Sequence, residues 1–286
     1  MTTIRLGLPK GRMQKAVAKL LSEAGITLDQ TERGYRPRIG GLGDVDTKVL
    51  KPQNVVTMLA AGSRDVGFAG ADWVAELGAE VVDLLDTGLD PVRMVAAAPD
   101  ALLENGALPS RSLIIASEFE RITRSWVERD NLDARFLRAY GATEVFPPED
   151  ADCIVDITQT GATLRANELT IVAELMRSST RLYASKRALE DPGKRQWIES
   201  LTLLLKSVLD ARSRVMLEVN VTADLLTGLI GILPCMKTPT VAELHGGAGY
   251  AVKIAVERAI LPTLIPRISE RGGTDIIVTP VSQIVA

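Results

Sequence analysis

The sequence predicts an α/β protein, parallel sheets flanked by helices, that ends in a smaller ferredoxin-like α+β module. Three observations predict it. Apolar strand-like runs alternate with segments of helical spacing through most of the chain. The last stretch changes rhythm to the order βαββαβ, a plan in which two helices cover one face of one sheet. Of the 286 residues, 46% are hydrophobic but only 4% aromatic, so the cores must be filled by Leu, Val, Ile and Ala. That length suits two or three domains of about 100–150 residues each.

The opening reads as strand, tight turn and helix. IRLGL is followed by Pro9, Lys10, Gly11 and Arg12, after which Met13, Val17, Leu20, Leu21 and Ala24 recur at helical spacing until Gly25. Residues 55–61 continue as a helix, and DVGFAGADWVAEL (65–77) runs from a short strand through glycines into another helix. VVDLL (81–85) and VRMVAAA (92–98) read as two strands. SLIIAS (112–117) is a strand, EFERITRSWVERD (118–130) a helix, and DARFLRAY (133–140) a further strand. DCIVDI (152–157) is a buried strand, LTIVAELMRSSTRLYAS (169–185) has strand character, and residues 196–212 form a helix with Ile198, Leu201, Leu205 and Leu209 on one face. The tail then gives RVMLEVNV (strand), TADLLTGLIGIL (helix), TPTVAEL and GYAVKIAV (strands), LPTLIPRISERG (helix) and DIIVTPV (strand).

Charge and composition exclude several classes. A formal net charge of −3 gives no general affinity for nucleic acid or an anionic membrane, which needs a basic surface. No apolar run reaches the roughly 18 residues needed to span a bilayer, and the start lacks a signal-like apolar core, so a cytoplasmic protein is expected. Two cysteines, Cys153 and Cys235, lie in apolar contexts without CxxC spacing and read as reduced structural thiols. A single histidine, His245, rules out a multi-histidine metal site, and a Ser-His-Asp triad would have to use that loop residue.

The most chemical stretch is DITQTGATL, from Asp156 to Leu164. After a buried strand, Thr160, Gly161, Ala162 and Thr163 turn toward a helix start, where backbone N–H groups cradle a phosphate. Glycine permits close approach, Thr158, Thr160 and Thr163 add hydroxyls, and Asp156 could accept hydrogen bonds from a ribose. In isolation, the same pattern also fits a plain strand-to-helix turn with an N-cap. Lys10 and Arg12 stand at the end of the first strand, where open α/β sheets bind ligands. Gly67 and Gly70 lie in another strand-end loop beside Asp65 and Asp72, and Arg33, Arg36 and Arg38 add positive charge. Taken singly, the arginines read as a solvated face; three glycine-bearing basic loops at strand ends favour a site for anions.

With these residues in view, the chain resembles the ATP phosphoribosyltransferases of histidine biosynthesis, in their long form. The resemblance runs in order through LGLPKGRM, LKPQNVVTMLAAGSRDVGFAGADWV, DADCIVDITQTGATLRANEL and ILPCMKTPTVAEL, the third block being the most specific. It implies two periplasmic-binding-protein-like lobes with the site between them, here residues 1–90 with 181–212, and 91–180, and a C-terminal regulatory domain at 213–286. It implies transfer of the phosphoribosyl group of phosphoribosyl pyrophosphate to N1 of ATP, magnesium (Mg2+) as cofactor, and feedback inhibition by histidine. A homo-oligomer passing from dimer to hexamer is implied, with neither nucleic acid nor membrane as partner.

By position, the resemblance assigns Asp156 to the ribose and Thr160, Gly161, Ala162 and Thr163, with Thr158, to the 5-phosphate. Lys10 and Arg12 face phosphates and nucleotide, Lys51 the leaving pyrophosphate, and Arg33, Asp65, Gly67, Gly70 and Asp72 complete the substrate set. Asn220, Met236, Thr240 and Asp275 fall where the long form lines its histidine pocket. Lys51 stands where family members often carry arginine, so it acts as a point charge without a bidentate fork, and Asn220 replaces an expected aspartate. Two other classes share some of these features: a bilobal binding protein without catalysis, and a regulatory subunit whose α/β body has lost activity.

Overall fold

The computed structural model describes residues 3–29, 34–234 and 238–285. The chain forms two compact units, residues 1–202 and 203–286.

In the first unit, β1 (Ile4–Pro9), α1 (Arg12–Glu23), the small pair β2 (Thr27–Asp29) and β3 (Arg38–Gly40), β4 (Val45–Leu50), α2 (Pro52–Ala60), β5 (Val66–Gly70) and α3 (Ala71–Leu77) come first. Then follow β6 (Val81–Pro99), β7 (Leu113–Ser117), α4 (Glu120–Arg129), β8 (Ala134–Arg138), β9 (Cys153–Thr158), α5 (Ala162–Ala166), β10 (Leu169–Ser185), α6 (Lys186–Glu190) and α7 (Pro192–Arg212), which runs on into the second unit. One eight-stranded sheet takes the order β4-β1-β5-β10-β6-β9-β7-β8. Its two ends are parallel, β1 with β4 and β5, β7 with β8 and β9, while the long strands β6 and β10 run antiparallel to each other and to their outer neighbours.

The inner parallel strands β1, β5 and β7 are largely buried on both faces, as β5 with five buried residues in a row shows, because helices cover each side. On α1, Met13, Val17, Leu20 and Leu21 are buried, the stripe expected from their spacing. α2 starts on Pro52, whose missing N–H suits a first helical turn. In β6, Met94, Ala96 and Ala98 pack to one side with Ile115, Phe119 and Trp126, and Val95 and Ala97 to the other with Ile154 and Leu164. Small alanines on a central strand let both layers approach.

Three expectations about elements change. VVDLL and VRMVAAA belong to the single strand β6, since β10 keeps pairing with it across the Gly88–Pro91 break through several register shifts. Gly67 and Gly70 sit inside β5, not in a loop. The helix expected at 196–212 begins earlier, at Pro192, and α6 precedes it.

The second unit, described by itself, adds β11 (Arg214–Val221), α8 (Leu226–Ile230), β12 (Thr240–Glu243), β13 (Tyr250–Glu257), α9 (Leu261–Glu270) and β14 (Thr274–Pro280). Its antiparallel sheet has the order β12-β13-β11-β14, the ferredoxin-like βαββαβ arrangement predicted. Val215, Leu217, Val219 and Val221 alternate into a core with Leu229, Leu264 and Ile268 under the two helices. Among the described residues no helix is long and apolar enough to cross a membrane.

Candidate active site

Strand β9 delivers the chemistry to the end of the sheet. Val155 is wholly buried, and the next residue, Asp156, lies opposite Val95 of β6. The amide of Ile157 donates to Asp156 Oδ1 at 2.6 Å, and the Thr143 hydroxyl donates to Oδ2. Burial pushes the Asp156 carboxyl above its ordinary range, with Glu144 adding repulsion, against the lowering effect of those two donors.

The loop after β9 closes on itself through its own hydroxyls. Gly161 N donates to Thr158 Oγ1 at 2.9 Å and Ala162 N to Thr160 Oγ1 at 3.3 Å, while Arg165 Nη1 holds the Thr160 carbonyl at 3.0 Å. Gly161 has φ +73°, a left-handed conformation natural to glycine. The first helical bond, Arg165 N to Gly161 O at 3.0 Å, leaves the amides of Thr163 and Leu164 without intrahelical acceptors. As acceptors, the threonine oxygens keep their own O–H groups to donate. The helix that follows has only five residues, so its dipole adds little to the cradle.

A cavity of about 250 Å³ opens over this loop, lined by Asp156, Thr158, Thr160, Ala162 and Thr163 together with Arg12, from the start of α1. Glu144, Gln159 and Val92 join Ile157 and Leu164 in its wall; sequence reasoning did not single out Glu144, Gln159 or Val92, which come from a turn, a loop and a neighbouring strand with no shared spacing.

Other predicted residues take different places. Lys10 is exposed, its Nζ donating to Tyr35 Oη at 3.0 Å and lying 4.8 Å from that ring's centre. Lys51, the exposed residue before α2, lies within electrostatic range of Glu118 at the end of β7. Burial raises the Glu118 carboxyl, and Asp156 raises it further; Glu118 also escaped the sequence reading, its neighbours being distant in the chain. Asp72 is buried, its carboxyl raised by burial and opposed by the Trp73 amide, Ser178 and the nearby charge of Arg12.

Asp65 turns away from the cavity: Arg5 and Lys194 bind its carboxylate, each with a contact of 2.8 Å, which makes it a clamp between β1 and α7. Gly67 serves packing, because a Cβ there would lie 2.7 Å from Val55 Cγ1 and 2.9 Å from the Gly7 carbonyl. A Cβ on Gly70 would collide with the Asp72 carboxylate. Arg36 and Arg38 are exposed, Arg36 pairing with Asp46 at 3.4 Å, and Arg33 lies outside the described residues.

In the second unit Asn220 Nδ2 donates to Asp275 Oδ2 at 3.0 Å, and Thr240 sits two strands away, paired with Lys253, on the same sheet face by alternation. Met236 and Cys235 fall outside the described residues. Cys153 is fully buried, which pushes its thiol up to about 12 and keeps it unreactive. Among the described residues no three acidic, histidine or cysteine side chains converge as a metal cage.

The family model described as ATP phosphoribosyltransferase matches residues 51–207, and that described as HisG, C-terminal domain, matches residues 211–283. An ATP phosphoribosyltransferase of Pelotomaculum thermopropionicum is 34% identical over 99% of both chains, and one of Solibacter usitatus 33% identical over 99% of both. Among solved structures, the ATP phosphoribosyl transferase (HisG:HisZ) complex from Thermotoga maritima superposes with a TM-score of 0.64 at 27% identity, covering 72% of this chain and 98% of that one.

An α/β body with a threonine-lined cavity at a strand end, joined to relatives of this kind, defines a phosphoribosyl-transferring glycosyltransferase. The chain belongs to the ATP phosphoribosyltransferase family of histidine biosynthesis, with ATP and phosphoribosyl pyrophosphate as the family's substrates.

Proposed function

We propose that this protein transfers the phosphoribosyl group of phosphoribosyl pyrophosphate to N1 of the adenine of ATP, releasing pyrophosphate. The observation that carries the reading is the convergence of Asp156, Arg12 and the threonine loop on one cavity. At about 250 Å³ it lies below the roughly 300–1,000 Å³ of drug-sized sites, which suits one sugar phosphate with the nucleotide outside.

In this mechanism the bond from C1 of the ribose to pyrophosphate breaks as the bond to adenine N1 forms, and C1 acquires positive character. Asp156 accepts the ribose hydroxyls, while Thr160, Thr163 and the free amides of the loop hold the 5-phosphate. Arg12 and Lys51 neutralise charge on the phosphates, electrostatic help commonly worth a few kcal/mol per well-placed donor. The adenine is itself the nucleophile, so a chain with one histidine suffices. Bound magnesium would supply further charge neutralisation to the substrates' phosphates beside Arg12 and Lys51.

Histidine binding beside Asn220 and Asp275, feedback inhibition, and passage from dimer to hexamer belong to the same proposal. The extra C-terminal domain, matched as that of HisG, supports regulation within one chain. Incubation with phosphoribosyl pyrophosphate, ATP and magnesium tests the reaction, read by absorbance of an N1-substituted adenine and by pyrophosphate release. Binding of both substrates without turnover would overturn it in favour of a binding protein or an inactive subunit.

A further inference from the structure

Thr143 is 1% exposed, in the short turn Thr143–Val145 that follows β8. A buried hydroxyl is tolerated where it finds a partner, and its partner is the carboxylate of the site: Thr143 Oγ1 donates to Asp156 Oδ2 while the Ile157 amide holds Oδ1 at 2.6 Å. Both oxygens are thus fixed, and each keeps a lone pair for a substrate hydroxyl. The donor is itself held in place. Ala139 N bonds the Ser117 carbonyl at 3.0 Å, Phe146 N bonds the Thr143 carbonyl at 3.1 Å, and Ala142, at φ +49°, turns the chain so that Thr143 faces inward.

We propose that Thr143 is a positioning residue for phosphoribosyl transfer, its hydroxyl holding the Asp156 carboxylate in the orientation that meets the ribose. The inference deepens the proposed transferase reading and rests on it. The charges facing Asp156 sharpen the role of a neutral donor. Glu144 comes from the same turn, Glu118 from the end of β7, and Arg12 from α1 across the cavity; Arg93 of β6, two register positions from Val95, is held by Glu174 at 3.3 Å. Burial first, and then Glu144, favour a proton on Asp156, while Lys51 offsets Glu118; the Thr143 hydroxyl works against that proton because it stabilises the ionised form.

The test compares T143V, which keeps the shape and loses the hydroxyl, with T143S, which keeps the hydroxyl, over pH 5–9 and across phosphoribosyl pyrophosphate concentrations. T143V is expected to lower kcat/KM about tenfold at neutral pH and to move the acid limb up by about one pH unit, with T143S within about twofold of wild type. A merely structural role would reduce the amount of folded enzyme and leave the limb in place. Wild-type kinetics in T143V, or equal impairment in T143S, overturns the inference. Should T143V fail to fold by circular dichroism, T143A takes its place in the same comparison. A wild type that forms no product refutes the transferase reading instead. The contact is then read from the carbon-13 carboxyl titration of Asp156, which loss of the hydroxyl shifts upward by about one unit and which an unmoved titration overturns.

Discussion

The guanidinium of Arg5 grips Asp65 as a fork, Nη2 to Oδ1 at 2.8 Å and Nε to Oδ2 at 3.2 Å. Lys194 of α7 closes on the same Oδ1 at 2.8 Å, so strand and helix meet on one carboxylate that is 2% exposed.

That clamp predicts a stability loss and its pH dependence. Burial pushes the Asp65 carboxyl up, but hydrogen bonds from Arg5 and Lys194 outweigh it and the net value lies below the ordinary range. A depressed acid contributes stability above the unfolded value of about 3.9, lost as pH falls through the folded one. Asp65→Ala is expected to cost about 2 kcal/mol at pH 7, since it takes the shared carboxylate from two half-buried cations, with the gap to wild type narrowing below about pH 4. Urea denaturation at both pH values checks this; a constant gap would contradict the assignment.

For the reaction, Asp156→Ala is expected to lower turnover about a hundredfold, the usual effect of removing one electrostatic group from a site. Lys10→Ala, at an exposed position, should lower turnover about tenfold and leave the thermal melt unchanged. Product formation at wild-type rates in both variants would remove these residues from the mechanism.

Gly161→Ala places a Cβ at φ +73° and 3.0 Å from Arg165 Nη1. A left-handed non-glycine costs about 1 kcal/mol, and the loop relaxes to avoid it. KM for phosphoribosyl pyrophosphate is expected to rise severalfold while KM for ATP stays within about twofold, as only the phosphate loop is disturbed. Equal changes in both constants would separate this loop from the sugar phosphate.

In the C-terminal unit, millimolar histidine is expected to inhibit wild type, and Asp275→Ala to raise the half-inhibitory concentration about tenfold, the effect of one charge-assisted hydrogen bond. An activity curve flat in histidine would leave Asn220 and Asp275 as a structural pair. Light scattering with and without histidine reads assembly in the same samples.

Much of this was legible beforehand. The apolar spacing of Met13, Val17, Leu20 and Leu21 carried α1, and the run Cys153–Val155 carried β9, because local patterns decide which face can be buried. The loop Thr158–Thr163 was legible for a similar reason: hydroxyls and a glycine adjacent in sequence are adjacent in space. The division of 81–98 into two strands did not hold: Gly88, Asp90 and Pro91 suit a turn in an isolated segment, and only pairing with β10 makes them irregularities of one strand. Gly67 read as a loop glycine because nothing local reveals Val55 above it.

By itself, then, the sequence determined which segments become strand or helix, the βαββαβ tail and the motif at 156–164, since period, turn chemistry and composition act between near neighbours. Tertiary structure alone decided that Asp65 is clamped by Arg5 and Lys194, that Thr143 and Glu144 come to Asp156, and that Arg12 shares the cavity of Asp156 and Glu144. Those contacts join residues far apart in the chain, and their energies depend on burial and on distances that no local pattern encodes.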